Sequence, residues 1–131
     1  MEAQRRIQDS VVRGDYQPSI EALDEEVELW VDPRTSPDAG EFRGRTAVIA
    51  WWSDFVASFE DYWIEPGELI DAGDWVVVTN RTGGRGRESG ALVERDWVNT
   101  YKWRDGRIVR IEFHADMEQA MKALEAAGLS E

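Results

Sequence analysis

The strongest constraint on the fold is the segment from Trp97 to Asp116, WVNTYKWRDGRIVRIEFHAD, which predicts two long strands joined by a tight turn. Its first half places an aromatic or amide side chain at every second position: Trp97, Asn99, Tyr101 and Trp103. Side chains that alternate in this way share one face of a strand. That face is either an unusually aromatic core or the wall of a pocket.

The turn within WRDGR can close in two ways, and its length decides which residues face each other. A two-residue loop sets the aromatic face beside a more polar set that ends at His114. A three-residue loop, Arg104 to Gly106, sets it beside Val109, Ile111 and Phe113. The second arrangement separates an apolar face from a polar one, and a slip of one residue would turn every side chain over. We therefore predict the three-residue loop.

The predicted register sets Asp96 opposite His114 on the outer face of the sheet. Such a pair is either a surface or subunit-interface ion pair, or a catalytic dyad. His114 is the only histidine and the chain has no cysteine. Metal sites built from two or three histidines, or from several cysteines, are therefore excluded within one chain, and we expect no metal.

Helical spacing of apolar residues predicts a helix over 3–13, a second helix opening at Asp15, and a third over 45–59. Asp116, followed three residues later by Gln119, predicts a capping box that opens a last helix. The inner face of the third helix is predicted to carry Val48, Trp52, Phe55, Val56 and Phe59.

Strands are predicted at VELWV, at YWIEPGELI, at WVVVTNRT and in the two arms of the opening hairpin. The segment DPRTSPDAGEFRG has the composition of a loop, and GGRGRESG is predicted to be a glycine-rich loop. This order predicts an α+β fold in which helices pack against one curved antiparallel sheet.

The aromatic face of the hairpin and the inner face of the third helix are predicted to meet. If these side chains interdigitate fully, they form a solid core. Asn99 argues for the alternative, because a buried amide must find hydrogen-bond partners. A water, a ligand or a neighbouring side chain could supply them, so core and pocket both stay open.

Bulk properties narrow the classes of partner. A chain of 131 residues predicts a single domain, 1–131, and a hydrophobic fraction of 42% argues against disorder. The net charge of −12 disfavours nucleic acid and anionic membranes as partners, since both are bound through clustered Lys and Arg. No apolar run approaches the ~18 residues of a membrane span, and the N-terminus has no signal-like apolar region, so we expect a cytoplasmic protein.

In their order along the chain, FRGRTAVIAWW, RDGRIVRIEFHAD and ALEAAGL resemble the nuclear-transport-factor-2-like superfamily, and within it the SnoaL-like polyketide cyclase and ketosteroid isomerase-like branch. The resemblance covers nearly the whole chain. It implies a cone: a curved, mixed, mainly antiparallel sheet wrapped around three helices, plus a C-terminal helix. It also implies a pocket at the open end of the cone and a homodimer through the outer face of the sheet.

The resemblance carries over some functional residues and not others. Asp32, followed by Pro33, resembles the catalytic base of the ketosteroid isomerases, and Asn99 stands where they have a protonated Asp. Ile7 falls near their tyrosine donor and cannot replace it. Compared with limonene epoxide hydrolases, Arg81 matches an arginine, but Gly83 replaces one catalytic acid and Phe113 the other.

These residues predict a pocket for a small apolar or aromatic molecule. One hypothesis is a cofactor-free acid–base isomerase or cyclase acting on an apolar carbonyl compound, with Asp32 as a base of raised pKa and Asn99 or Tyr101 stabilising the enolate. The alternative is a non-catalytic module for ligand binding or dimerisation. The predicted ligand-binding residues are Trp52, Phe55, Arg81, Trp97, Trp103, Ile111 and Phe113.

Overall fold

The computed structural model describes residues 2–34 and 40–126. Its elements, in chain order, are α1 (Glu2–Val12), α2 (Gln17–Ala22), β1 (Leu23–Val31), β2 (Gly40–Arg43), α3 (Arg45–Ala57), β3 (Phe59–Ala72), β4 (Trp75–Gly86), β5 (Leu92–Arg104), β6 (Arg107–His114) and α4 (Met117–Ala126). The strands form one curved sheet in the order β2-β1-β6-β5-β4-β3. Only the β1–β6 pair is parallel among these neighbours. The predicted α+β fold with a mixed, curved sheet is confirmed.

The two faces of the sheet are covered by different helices. The inner face carries residues such as Leu29, Trp97 and Phe113, and it packs with buried residues of α1 and α3 into the main core. The outer face carries Val77 and Val98, which pack with α4 into a second, smaller core. The helices α1 to α3 therefore close one side of the sheet, and α4 covers part of the other.

Both terminal helices form for the reasons that their sequences predict. In α1, Ile7 and Val11 lie one turn apart and are both buried. In α4, the amide of Gln119 donates to Oδ1 of Asp116 at 2.9 Å, which confirms Asp116 as the cap. No helix among residues 2–34 and 40–126 is long and apolar enough to cross a membrane.

The segment predicted as one long loop after β1 contains a strand. Residues 40–43 form β2, which pairs antiparallel with β1 and sets Phe42 opposite Leu29. Residues 35–39 of the same segment lie outside the described residues. The composition did not predict β2, because Phe42 is its one residue with a strong preference for strands.

The presence of β2 adds a residue to the buried face of α3. Trp51, which the predicted inner face omitted, is 7% exposed and lies 6.2 Å from Phe42 between ring centroids. Trp52 and Phe55, which the prediction placed at the centre of that face, are only partly buried. Trp52 and Phe55 nevertheless pack against the main core, so the predicted face is the inner one, and Trp51 was omitted because it packs against Phe42 in a strand that the sequence did not suggest.

The predicted glycine-rich loop is partly a strand as well. Gly83, Gly84 and Gly86 belong to β4, which continues to residue 86. At Gly83, a Cβ atom would lie 2.4 Å from the ring of Trp63 on the neighbouring strand. Glycine is therefore present here so that an aromatic ring can lie on the backbone, and it does not indicate a loop.

The hairpin between β5 and β6 closes with two residues, so the predicted three-residue loop is wrong. Arg104 pairs with Arg107, and Asp105 and Gly106 between them have φ angles of +52° and +76°. Two positive φ angles in a two-residue loop are the signature of a type I′ turn.

A β-bulge then restores the faces that the three-residue loop would have produced. Trp103 pairs with Ile108, but Lys102 pairs with Arg110, so Val109 is the extra residue. Beyond the bulge, Tyr101 pairs with Ile111 and Asn99 with Phe113. The predicted shared face of these four residues is therefore correct, although its cause is different, and Ile108 takes the buried place predicted for Val109.

The same bulge removes the predicted pairing of Asp96 with His114. His114 lies opposite Val98, and Asp96 lies opposite Arg81 of β4. The prediction failed because the two-residue turn and the bulge together shift the register by two residues.

Replacing Gly106 by Ala tests the type I′ turn. Ala at a φ angle of +76° would strain the backbone although the space around it is open, so we expect the free energy of unfolding to fall by about 1 kcal/mol. Urea denaturation measures this loss. Gly106→Asn is the matched control, since Asn tolerates positive φ, and an equal loss in both variants would contradict the explanation.

Candidate functional site

A cavity of about 400 Å³ lies between the three helices α1 to α3 and the inner face of the sheet. Its wall is almost entirely apolar. The main apolar contributions come from Ile7, Val11, Ile20, Leu29, Val48, Ile49, Trp52, Val56, Ile64, Ile108, Ile111 and Phe113. The helices and the sheet therefore do not interdigitate completely in this part of the molecule.

Next to the cavity, the aromatic side chains form a solid cluster. The ring of Trp97 lies 4.9 Å from Phe113 and 5.3 Å from Phe55, measured between centroids. Phe113 also meets Trp51 edge to face at 5.3 Å. Because edge-to-face and offset contacts fix ring orientation, this cluster holds one wall of the cavity in place. The aromatic cluster and the cavity therefore lie side by side on the inner face.

Two neighbouring polar side chains of β5 reach the cavity. Asn99 and Tyr101 both line it, and Nδ2 of Asn99 donates to the hydroxyl oxygen of Tyr101 at 3.2 Å. Oδ1 of Asn99 is buried and has no hydrogen-bond partner among the described residues. Burial raises the pKa of Tyr101 above 10, and the bond from Asn99 opposes this shift. The phenol therefore stays neutral near pH 7 and can still donate its proton to a hydrogen bond.

Three predicted ligand-binding residues, Trp52, Ile111 and Phe113, line the cavity together with Asn99 and Tyr101. The structure thus brings together five of the ten predicted site residues. Trp97 and Phe55 lie in the aromatic cluster behind the wall. Trp103 packs against the main core, and its indole nitrogen donates to Oε1 of Gln4 at 2.9 Å.

Asp32, the predicted base, is buried beyond the end of β1 and is not among the residues that line the cavity. Its carboxylate accepts hydrogen bonds from the guanidinium of Arg34, at 2.9 Å from Nη2, and from the Arg34 backbone amide at 2.9 Å. The hydrogen bond with the Arg34 side chain is the main reason that the pKa of Asp32 lies below its ordinary value, although burial opposes the shift. The expected raised pKa is wrong, because the sequence did not place a cation beside this carboxylate.

Arg81 lies on the outer face of the sheet, away from the cavity. Its guanidinium pairs with Glu94 and lies 3.9 Å from Asp96. Its side chain is 55% exposed, so these pairs are surface ion pairs of small energetic value.

His114 also belongs to the outer face. It is 1% exposed, and its Nε2 lies 3.0 Å from Oε1 of Glu112. Burial of Glu112 would raise its pKa, but hydrogen bonds with His114 and Arg110 outweigh burial and lower it. The pair of His114 with a carboxylate exists, but with Glu112 and on the side of the sheet opposite the cavity.

Two polar residues of α1 lie inside the protein and were not among the predicted site residues. Gln4 and Gln8 are both buried, and Gln8 lines the cavity. The signal was available in the sequence: Gln4 and Gln8 are one turn apart and share a face with the apolar Ile7 and Val11. Two amides on the buried face of an amphipathic helix need partners inside the protein.

The described wall of the cavity contains no Asp, Glu, His, Lys or Arg, and its titratable groups are the phenols of Tyr16 and Tyr101. Among residues 2–34 and 40–126, no group of three or more His, Asp or Glu side chains could hold a metal ion. Chemically, this wall can bury apolar surface and offer neutral hydrogen bonds.

A curved mixed sheet that encloses a cavity with three helices defines the class of nuclear-transport-factor-2-like folds. The family model for the SnoaL-like domain matches residues 4–111. The chain belongs to the SnoaL-like domain family.

Solved structures agree with this fold at low sequence identity. An NTF2-like protein from Burkholderia thailandensis E264 has a TM-score of 0.79 at 20% identity, over 94% of this chain and 95% of the other. A protein from Jannaschia sp. CCS1 assigned to the SnoaL-like polyketide cyclases has a TM-score of 0.74 at 18% identity, over 95% and 90%. TerC, crystallised with polyporic acid, has a TM-score of 0.71 at 20% identity, over 95% and 96%. None of the curated proteins matches the chain significantly.

Replacing Arg34 by Met tests the role of the Asp32–Arg34 pair. A folded-state pKa below the ordinary value of 3.8 means that Asp32 stabilises the fold above pH 3.8, and that this stabilisation is lost as the pH falls from there through the lower folded-state pKa. We therefore expect Arg34→Met to lower the free energy of unfolding at pH 6 and to lower it progressively less below pH 4.

Chemical denaturation of both proteins across this pH range measures the difference. The control is Arg43→Met, which removes a more exposed arginine from its pair with Glu28. A loss for Arg34→Met that stays constant between pH 6 and pH 3 would show that Arg34 stabilises the fold without involving a carboxylate.

Proposed function

We propose that this protein binds a small, mainly apolar, ring-containing molecule in the cavity between α1 to α3 and the inner face of the sheet. The observation that carries the proposal is a cavity of about 400 Å³ whose apolar wall is interrupted by the Asn99–Tyr101 pair. Ligand sites of small molecules have volumes of about 300–1,000 Å³ and combine apolar walls with few polar groups.

The electrostatics of the site favour a neutral ligand. The described wall carries no charged side chain that could pair with an ionised group. The net charge of the chain, −12, further disfavours an anion. A neutral carbonyl or hydroxyl group would instead find a donor and an acceptor at Asn99 and Tyr101, whose amide and phenol offer both.

The names of the structural neighbours are consistent with a ligand of this kind. One neighbour is assigned to the polyketide cyclases, and TerC was crystallised with polyporic acid. At about 20% identity these likenesses concern the fold, so the proposal depends on the cavity itself.

Binding of the neutral fluorescent probe N-phenyl-1-naphthylamine tests the proposal. Ser53 lines the cavity and is exposed, so Ser53→Trp should obstruct its entrance and weaken probe binding at least tenfold. Fluorescence titration measures the affinity. Asp54→Trp is the matched control, because Asp54 is the next exposed residue of α3 and does not line the cavity. If both variants bind as the unmodified protein does, the probe binds elsewhere and the proposal fails.

A second candidate function is a cofactor-free isomerase or cyclase acting on an apolar carbonyl compound. It is favoured by the neutral phenol of Tyr101 beside the Asn99 amide, since two such groups can stabilise a developing enolate oxygen. Its weakness is the base, because the described wall holds no carboxylate and Asp32 is bonded to Arg34.

Hydrogen–deuterium exchange next to the carbonyl of 2-tetralone tests this candidate. If the protein catalyses enolisation with Asp32 as the base, exchange is faster than in buffer alone, and Asp32→Asn returns it to the buffer rate. NMR measures the exchange. Equal rates for the unmodified protein and the variant would exclude Asp32 as the base, and rates equal to that of buffer would exclude this catalysis.

A further inference from the structure

Two hydrogen bonds link the side chains of Trp103, Gln4 and Gln8, and this relay runs from the sheet through α1 to the cavity. The indole Nε1 of Trp103 donates to Oε1 of Gln4 at 2.9 Å, and Nε2 of Gln4 donates to Oε1 of Gln8 at 2.8 Å. Gln4 is 0% exposed and Gln8 is 5% exposed, so both amides are inside the protein. Gln8 is the residue of this relay that lines the cavity.

The chemistry of Trp103 fixes the orientation of both amides. An indole nitrogen can only donate, so the oxygen of Gln4 must face it. The amide nitrogen of Gln4 then faces Gln8, and only the oxygen of Gln8 can accept from it. The amide nitrogen of Gln8 is the last group of this relay, and within residues 2–34 and 40–126 it donates no hydrogen bond.

We propose that Gln8 is a ligand-binding residue whose amide nitrogen donates a hydrogen bond to an acceptor oxygen of the molecule in the cavity. Gln4 and Trp103 are positioning residues, because they hold the oxygen of Gln8 away from the ligand and its nitrogen available. This inference rests on the proposed function and narrows the class of ligand.

The ligand class follows from the two polar positions on the cavity wall. Gln8 offers a donor from the helical wall, while Asn99 and Tyr101 offer a donor and an acceptor from the sheet. A ring compound with two oxygen functions, at least one of them a carbonyl or ether oxygen directed at α1, would satisfy both. A hydrocarbon of the same shape would leave the nitrogen of Gln8 without a partner, which costs binding free energy.

Two probes of one skeleton test the inference: 1,4-naphthoquinone, with two carbonyl oxygens, and naphthalene, with none. Gln8→Met keeps the length of the side chain and removes its amide. We expect this variant to bind 1,4-naphthoquinone about fivefold more weakly and naphthalene at least as tightly as the unmodified protein does, because Met has no amide to leave without a partner. Equilibrium dialysis measures both affinities. Gln17→Met is the matched control, since Gln17 is exposed on α2 and does not line the cavity.

A second variant tests the positioning role of Trp103 and Gln4 without altering the cavity wall. Trp103→Phe keeps an aromatic ring but removes the donor that orients Gln4. Both amides can then turn over, so the preference for the quinone over naphthalene should fall to a value between those of the unmodified protein and Gln8→Met. A purely structural role would weaken the binding of both probes equally and leave their ratio unchanged.

The outcomes separate this inference from the proposed function. If the unmodified protein binds neither probe, the proposed function fails and the inference fails with it. If it binds both, and Gln8→Met changes neither affinity or changes both by the same factor, only the inference is overturned. A loss confined to the quinone supports it.

Discussion

The pairing of β5 with β6 is the interaction on which the rest of the structure depends. A two-residue turn alone would carry the polar side chains of β6 to the inner face, which carries Trp97 and packs against Phe55 of α3. The extra residue at Val109 shifts the register, so Ile111 and Phe113 face inward and Arg110, Glu112 and His114 face outward. Because an alternating strand has only two faces, this one bulge decides both the apolar wall of the cavity and the ionic network on the other side.

The cavity exists because aromatic contacts are concentrated at one part of the inner face. Trp51, Phe55, Trp97 and Phe113 stack and meet edge to face, and they support α3 above the sheet. Around the cavity the wall is built mainly from aliphatic residues of the three helices α1 to α3 and of the strands, which do not reach across the space. The packing that stabilises the fold and the space that accommodates a ligand are therefore adjacent parts of one interface between helices and sheet.

Much of the fold could be predicted from the sequence, since helical and alternating periods in residues 3–13, 45–59 and 97–114 are strong local signals. What could not be predicted depends on contacts between distant segments. The short strand β2 is defined by pairing with β1, and Trp51 is buried because Phe42 lies in that strand.

Asn99 and Tyr101 could be predicted as site residues because alternation alone places them on the inner face. The pKa of Asp32 could not be predicted, because the position of the Arg34 guanidinium is a property of the folded loop. The burial of Gln8 could be predicted from its helical face, but its hydrogen bond with Gln4 could not, because Gln4 is oriented by Trp103, far away in the sequence.

The strand β3 ends the sheet with an edge of 14 residues, long enough to recruit a strand from another molecule. Its pairing with β4 is interrupted by two register shifts, between Glu60 and Trp63 and between Pro66 and Leu69. Proline has no amide hydrogen to donate to a further strand. Each register shift bends β3, so it no longer offers a straight edge on which another strand could pair. Carboxylates at Glu60, Asp61, Glu65, Glu68 and Asp71 add repulsion between identical chains. These features disfavour edge-to-edge pairing of identical chains through β3, the last strand of the sheet among residues 2–34 and 40–126.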